Sequence, residues 1–308
     1  MEKNDYDVVI IGGGPAGLTA GIYAKRAGLS ALLIEKHTPG GQIMITDWIE
    51  NYPGFPEGLP GYDLTMKMEQ QAKNFGLEII QGDVKSLETD DKIKKVVLSD
   101  SSVNTKAIII ASGCSPRKLG IPGENTLFGK GVSTCATCDA MFFRDKDVVA
   151  VGGGDTAVQE TLFLTKFVRK VYLVHRRDQL RAAKMLQDRI FANDKVEIVW
   201  DSVPTEINGS KSVESVSVKN VKTGETKELD AQGCFIWVGT IPNTEFLNDK
   251  INVDQSGFII TDPRMETSVK GVFAAGDVRN TPLRQVSTAV GDAAIAAFCA
   301  DQYIEGLE

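Results

Sequence analysis

The sequence has no long apolar run. Nothing in its 308 residues approaches the roughly 20 consecutive apolar positions that a membrane-crossing helix needs. It has no excess of basic charge either: 34 Lys and Arg stand against 41 Asp and Glu. The formal net charge of −7 argues against a nucleic-acid or anionic-membrane surface. Histidine is confined to His37 and His175, and cysteine to five residues of which only Cys135 and Cys138 are closely spaced. An odd, scattered set of this kind excludes the disulfide framework of a small secreted fold. A structural zinc site would need two more ligands at similarly short spacing, and none are there, so no metal is expected. Cys114, Cys234 and Cys299 lie in or beside apolar runs and read as small buried hydrophobes. Only a short polar leader containing Glu2, Lys3, Asn4 and Asp5 precedes the first expected strand, which reads as no signal peptide and a cytoplasmic chain.

What is there is one module written twice. Asp7-Val-Val-Ile-Ile-Gly12 predicts a buried parallel strand running into a glycine turn, followed by a helix over Leu18 to Ala27 and a strand over Ala31 to Ile34. The second copy runs Asp147-Val-Val-Ala-Val-Gly152, a helix over about Val158 to Phe167, and a strand over Val171 to Val174. Both are βαβ units and imply parallel sheets with right-handed crossovers. Each copy continues into a predicted antiparallel meander, about Val84 to Asp100 and Val213 to Leu229. Each then reaches an apolar strand ending in Gly-x-x-Pro, at Gly113 to Pro116 and Gly239 to Pro242. Only the first copy carries a long Gly- and Pro-rich insertion, from Pro39 to Gly61, and loops of that length tend to be functional. A tail with Gly271-Val-Phe-Ala-Ala-Gly276-Asp277 and a small-residue helix over Val286 to Ile304 follows the second copy. If that tail pairs with the first module, the second module is inserted into the first.

The glycine fingerprints are Gly12-Gly-Gly14-Pro-Ala-Gly17 and Gly152-Gly-Gly154-Asp-Thr-Ala157. In each, Gly12 or Gly152 makes the tight turn and Gly14 or Gly154 lets the backbone approach a pyrophosphate. Gly17 or Ala157 then allows close packing of helix on strand. Each follows a strand and opens a helix, the context that gives such a motif weight. Glu35 lies 23 positions after Gly12. A carboxylate there accepts hydrogen bonds from ribose hydroxyls and repels a 2′-phosphate, so the first site should hold FAD or NAD. The same count from Gly152 reaches His175, followed by Arg176, Arg177 and Arg181. Guanidinium groups bind phosphate bidentately, so the second site should prefer NADPH; the alternative is a solvated basic patch. The insertion with Gly41, Gln42 and Asn51 could wrap a flavin ring on the first module. Asp277 could bond ribityl hydroxyls or merely cap the following helix, and Gly239 is a further candidate nucleotide contact.

Cys135-Ala-Thr-Cys138 is followed at once by Asp139 and closely precedes the second fingerprint. Such a dithiol is a redox centre when thiolate formation is assisted, and Asp139 could move the accompanying proton or be an ordinary turn residue. Hydride donor and dithiol are then carried by one module, and if both need the same flavin face the modules must reorient during turnover.

Together these residues resemble the low-molecular-weight, bacterial-type thioredoxin reductases, over essentially the whole chain. The match rests on Cys135-Ala-Thr-Cys138-Asp139, Gly152-Gly-Gly-Asp-Thr-Ala157 and His175-Arg-Arg-Asp-Gln-Leu-Arg181. Gly40-Gly-Gln42, Ala275-Gly-Asp277 and Arg284-Gln285 add to it. The resemblance implies an α/β fold of two Rossmann-like, three-layer ββα dinucleotide-binding domains, the second inserted in the first. The FAD-binding domain would span 1–116 and 244–308, and the NADPH-binding domain 117–243. It implies FAD, NADPH, a Cys135–Cys138 redox disulfide, Asp139 as acid–base group, and Gln42, Asn51, Arg284 and Gln285 beside the flavin. It also implies a homodimer that reduces the disulfide of thioredoxin. Reduction of another thiol-disulfide protein, or a ferredoxin–NADP reductase-like flavoprotein, are the alternatives. Ala140, where the family usually has glycine, and Asp47-Trp48 depart from the pattern.

Overall fold

The computed structural model describes residues 5–46, 49, 51–89 and 92–307, and the side chains of Ile45, Thr137 and Cys138 fall outside that description, as do Asp47 and Trp48. The chain divides into two compact units, Met1–Ser115 with Ile241–Glu308, and Pro116–Thr240. Among the described residues no helix is long and apolar enough to cross a membrane.

The first unit opens with β1 (Asp5–Ile11), α1 (Pro15–Arg26) and β2 (Ala31–Glu35). It continues through α2 (Gly61–Asn74), β3 (Glu78–Gln81), β4 (Val84–Glu88), β5 (Lys94–Leu98) and β6 (Ser102–Ile110), and β7 (Cys114–Pro116) leads out of it. β1 lies parallel between β2 and β6, and β2 is parallel to β3. Strand side chains alternate between faces. Val8 and Ile10 therefore join one core with Leu18, Leu64 and Ala72 from the helices, while Val9 and Ile11 join another with Leu87, Val96 and Leu98 from the meander. Helix layer, parallel sheet and meander are the three layers.

The second unit repeats them. Its elements are β8 (Val132–Ser133), α3 (Ala136–Asp139), β9 (Asp147–Gly152), α4 (Asp155–Leu164), β10 (Lys170–Val174), α5 (Lys184–Phe191) and β11 (Val196–Val199). A meander, β12 (Ser202–Asn208), β13 (Ser215–Asn220) and β14 (Thr226–Asp230), leads into β15 (Gly233–Trp237). The parallel sheet runs β11-β10-β9-β15-β8. Val148 and Ala150 face Val158, Leu164, Leu186 and Ile190 on the helical side, and Val149 and Val151 face Ile207, Val216 and Leu229 of the meander.

The chain returns along β16 (Thr240–Pro242) and ends with β17 (Val272–Ala274) and α6 (Val286–Glu305). β17 pairs parallel with β6, register Val272 to Ile108, so the tail completes the first sheet. The two copies differ at one joint. In the first unit a single nine-residue strand, β6, pairs with β5 near its start and with β1 along its length. In the second, Ala231 and Gln232 interrupt that path, giving a separate three-stranded meander sheet. Both fingerprint helices begin about three residues earlier than hydrophobic periodicity predicts, at Pro15 and Asp155, directly after Gly14 and Gly154. Proline at the first helical position explains the first of these: its fixed φ suits a helix start and its missing N–H is no loss there.

Candidate functional site

In the first unit the glycine turn is built by close backbone approach. The Gly12 N–H donates to Ile34 O at 2.9 Å, and a Cβ on Gly12 would overlap Ala111 O. A Cβ on Gly17 would overlap Gly12 O, which is why helix and strand can pack here only on glycine. Gly14 caps α1 with no side-chain hydrogen bond, leaving the first-turn N–H groups open to an anion. Glu35, at the end of β2, accepts from the Gly13 N–H at 2.6 Å and the His37 N–H at 2.9 Å, so its carboxylate is fixed at the edge of that turn.

The insertion folds back onto the same turn. The Gly40 N–H donates to Gly13 O at 2.8 Å, and Gly40 and Gly41 adopt φ of 134° and 64°, which side-chain-bearing residues rarely do. A Cβ on Gly41 would lie 3.0 Å from the Gly14 Cα. Gln42 follows, exposed on a short 3₁₀ turn. Asn51 Nδ2 donates to Gln285 Oε1 at 2.9 Å, bringing the insertion to the start of α6. Gly276 sits against Ala16 of α1 and Ala289 of α6, which places Asp277 beside the fingerprint helix. Burial pushes the Asp277 carboxyl up; Arg284 pulls it back and Asp292 adds to the rise. Among the described residues, the hydrogen bond its carboxylate receives is a long one from the Cys114 Sγ, at 4.0 Å. A half-buried carboxylate with so weak a donor can still accept hydrogen bonds from a ligand. Arg284 stacks on the Phe258 ring at 4.0 Å and reaches the Asp277 carbonyl at 3.4 Å. The first unit thus gathers Gly12, Gly14, Gly17, Glu35 and Gly41 around the N-terminus of α1, with Asp277 beside that helix, Arg284 against Asp277, and the Asn51–Gln285 pair at the start of α6.

The second unit gathers a different set. A Cβ on Gly152 would overlap Ala157, and Ala157 is fully buried, so alanine is the largest residue that fits. Gly154 caps α4, again with no side-chain hydrogen bond, and a Cβ there would meet nothing within 4 Å. Arg176, Arg177 and Arg181 are exposed, and among the described residues no carboxylate pairs with them. Three unpaired guanidiniums beside an uncapped helix N-terminus suit a ligand with two separate phosphate groups. His175, by contrast, is buried. Its ring nitrogens lie 2.9 Å from Gly152 O and 2.9 Å from Gln179 O, and burial holds its pKa below the usual range. It is a strut of the site rather than a surface of it. Gly239 has a positive φ, open surroundings, and a carbonyl that accepts the Arg117 N–H at 2.9 Å.

Cys135 belongs to a disulfide, whereas Cys114, Cys234 and Cys299 are buried thiols. Burial pushes Cys234 up to about 12, which leaves it inert. The Cys135 N–H donates to Ser133 Oγ at 3.0 Å, and Trp237 Nε1 donates to Thr134 O at 3.0 Å. The next residue, Ala136, donates its N–H to Glu160 Oε2 at 3.1 Å, tying the dithiol turn to α4. Sequence reasoning missed Glu160, because nothing in spacing links a mid-helix carboxylate to a turn 24 residues earlier. Asp139 closes α3 and is partly exposed, and Ala140 is buried in the core beneath it. In Cys138 the backbone belongs to α3 and the side chain is outside the described set.

Residues 6–293 match the family described as pyridine nucleotide-disulphide oxidoreductase. The chain is 48% identical over 309 residues to a thioredoxin reductase of Peptoclostridium acidaminophilum, covering 98% of each. It is 46% identical to the thioredoxin reductase of Bacillus subtilis strain 168, covering 100% of this chain and 97% of that one. Thioredoxin reductase from Lactococcus lactis matches in structure with a TM-score of 0.87 at 48% identity, over 98% of this chain and 99% of that one. With two Rossmann-like units and a disulfide matched over nearly its whole length, the chain belongs to the pyridine nucleotide-disulphide oxidoreductase family.

Proposed function

We propose that this protein is an NADPH-dependent thioredoxin-disulfide reductase, passing two electrons from NADPH by way of FAD and a Cys135–Cys138 disulfide to oxidised thioredoxin. The observation that carries the reading is the chemical opposition of the two glycine turns. Glu35 stands at one and three arginines with no carboxylate partner among the described residues at the other, and a disulfide lies in the arginine-bearing unit. Net, one NADPH, one proton and one thioredoxin disulfide give NADP⁺ and the thioredoxin dithiol.

The first unit fits FAD. Its α1 N-terminus has no side-chain cap and can take the diphosphate, Glu35 is fixed to meet ribose hydroxyls, and the Asp277 carboxylate, which among the described residues accepts only weakly, can accept from ribityl hydroxyls. Gln42, Asn51, Arg284 and Gln285 would flank the ring. When bound, FAD supplies the means of converting hydride transfer into disulfide reduction. In the second unit, the α4 N-terminus takes the diphosphate of NADPH and Arg176, Arg177 and Arg181 take its 2′-phosphate. Reduction of the disulfide leaves two thiols. One thiolate attacks thioredoxin's disulfide and the other resolves the mixed disulfide, expelling the thioredoxin dithiol. Asp139, one residue beyond the motif, is assigned the proton that each exchange takes up or releases. The cytoplasmic location and homodimeric state belong to the same reading.

The test is an anaerobic NADPH oxidation assay with thioredoxin and a panel of other disulfide proteins from the same cell. Cys135→Ser and Cys138→Ser should each abolish thioredoxin reduction while NADPH still bleaches the flavin. Thioredoxin turnover by either serine variant would refute the relay.

A further inference from the structure

The arginine loop of the second unit does not hang freely from the end of β10. Backbone and side-chain links tie residues 176–183 to the fingerprint turn. Gly153 O accepts the N–H groups of Arg181 at 2.7 Å and Ala182 at 3.2 Å. His175 spans Gly152 O and Gln179 O with its two ring nitrogens, each at 2.9 Å. A Cβ on Gly153 would overlap that ring, so turn and histidine are in full contact. Asp155 Oδ1 accepts the Ala183 N–H at 2.6 Å, just where α5 begins without a side-chain cap of its own.

Asp155 is the informative member. It is exposed and occupies the first turn of α4, where the helix dipole and free N–H groups would draw a diphosphate. A second anion there opposes the ligand. The helix dipole favours an acid at this position for the helix, but the bound anion does not, and the hydrogen bond from the Ala183 N–H at 2.6 Å shows what else the carboxylate does: it holds the arginine loop.

We propose that Asp155 and His175 are positioning residues that lock the 176–183 loop onto the fingerprint turn, and that this lock, beyond the arginine charge itself, sets the preference for a 2′-phosphorylated nucleotide. The inference rests on reading the second turn as the NADPH site. Holding the loop before the ligand arrives removes an ordering penalty that only a ligand reaching the arginines would otherwise bear. A nucleotide without the 2′-phosphate gains nothing from the lock.

Asp155→Ala tests this best, because the side chain is exposed and buries no core; the buried His175 would confound loss of function with loss of folding. The full-length, FAD-loaded protein is titrated with NADP⁺ and with NAD⁺ by calorimetry, beside steady-state kinetics with NADPH and NADH. Asp155→Ala should weaken NADP⁺ about tenfold, the scale of one charge-assisted hydrogen bond, and leave NAD⁺ equal or tighter. The loss should fall on KM for NADPH. Asp155→Asn, which keeps an acceptor oxygen, should restore most of it. Amide exchange at Arg181 to Ala183, measured without nucleotide, should quicken in Asp155→Ala. Equal tightening of both nucleotides, or unchanged exchange, overturns the lock and leaves Asp155 acting by charge alone. A wild-type protein that binds NAD⁺ as tightly as NADP⁺ overturns the NADPH reading itself.

Discussion

Two side chains of one charge type meet opposite fates. Asp7 sits near Lys106 at 2.9 Å, and the hydrogen bonds it accepts from Lys106 and Ser30 hold its carboxyl below the ordinary value against the desolvation of a partly buried site. Among the described residues Asp277 has no ion-pair partner within salt-bridge distance, and burial pushes its carboxyl up against the pull of Arg284. A carboxyl whose pKa is raised on folding binds its proton more tightly in the folded state. The stability it contributes is present below the ordinary carboxyl pKa and is lost as pH rises through the folded value. At neutral pH the ionised Asp277 therefore destabilises the flavin-free protein. Asp277→Asn should raise the apoprotein's Tm by roughly 2–4 °C, the scale of about 1 kcal/mol in a domain this size. The gap over wild type should be widest at neutral pH and close as pH falls through the folded pKa of Asp277. The same variant should retain less FAD, measured by absorbance after gel filtration. Loss of Tm at neutral pH would show that Asp277 has a donor in the apoprotein and is no waiting acceptor.

At the scale of elements, the two fingerprints separate packing from binding. Gly17 lies where any Cβ would overlap Gly12 O, so Gly17→Ala should cost about 3 kcal/mol or more through displacement of α1 from β1. Gly154 is extended, with φ −92° and ψ −178°, and opens onto empty space. Gly154→Ala should therefore cost about 1 kcal/mol or less, yet place a methyl group where the diphosphate approaches, weakening NADP⁺ by about tenfold or more. Thermal melts and calorimetry on the two variants read the contrast, and tight NADP⁺ binding by Gly154→Ala would remove the diphosphate from that helix. The β-α-β frame behind both turns was legible because apolar runs, glycines and the position of Glu35 are local signals. The tail's apolar strand is legible too, but not which sheet it joins; the resemblance implies the first, and the pairing of β17 with β6 is what fixes it. The amphipathic α2 and α5 are less legible: each has a clear apolar face, but α5 is a single short helix that buries only Leu186 and Ile190, and neither helix follows a glycine fingerprint that would mark its start. Nor are the struts legible: His175 looks like part of the basic cluster in sequence, and only burial shows that its ring faces two carbonyls instead.

Across the whole molecule, among its described residues, each of four hydrophobic clusters draws its members from one unit alone. Two contain residues of Met1–Ser115 and Ile241–Glu308 only, and two contain residues of Pro116–Thr240 only. Cooperative unfolding follows shared cores, so a chain with separate cores should melt in two steps rather than one. The ligands then become labels for the steps. A ligand that binds one folded unit stabilises it by about 2.7 kcal/mol at a hundredfold excess over its Kd, and leaves a separately folding unit where it was. In calorimetric scans of the apoprotein, FAD should raise one transition by several degrees and NADP⁺ the other. NADP⁺ should leave the FAD-sensitive transition in place, and Arg177→Ala should blunt only the NADP⁺ shift. A single transition that both ligands raise together would mean that the units unfold as one, whatever their separate cores suggest.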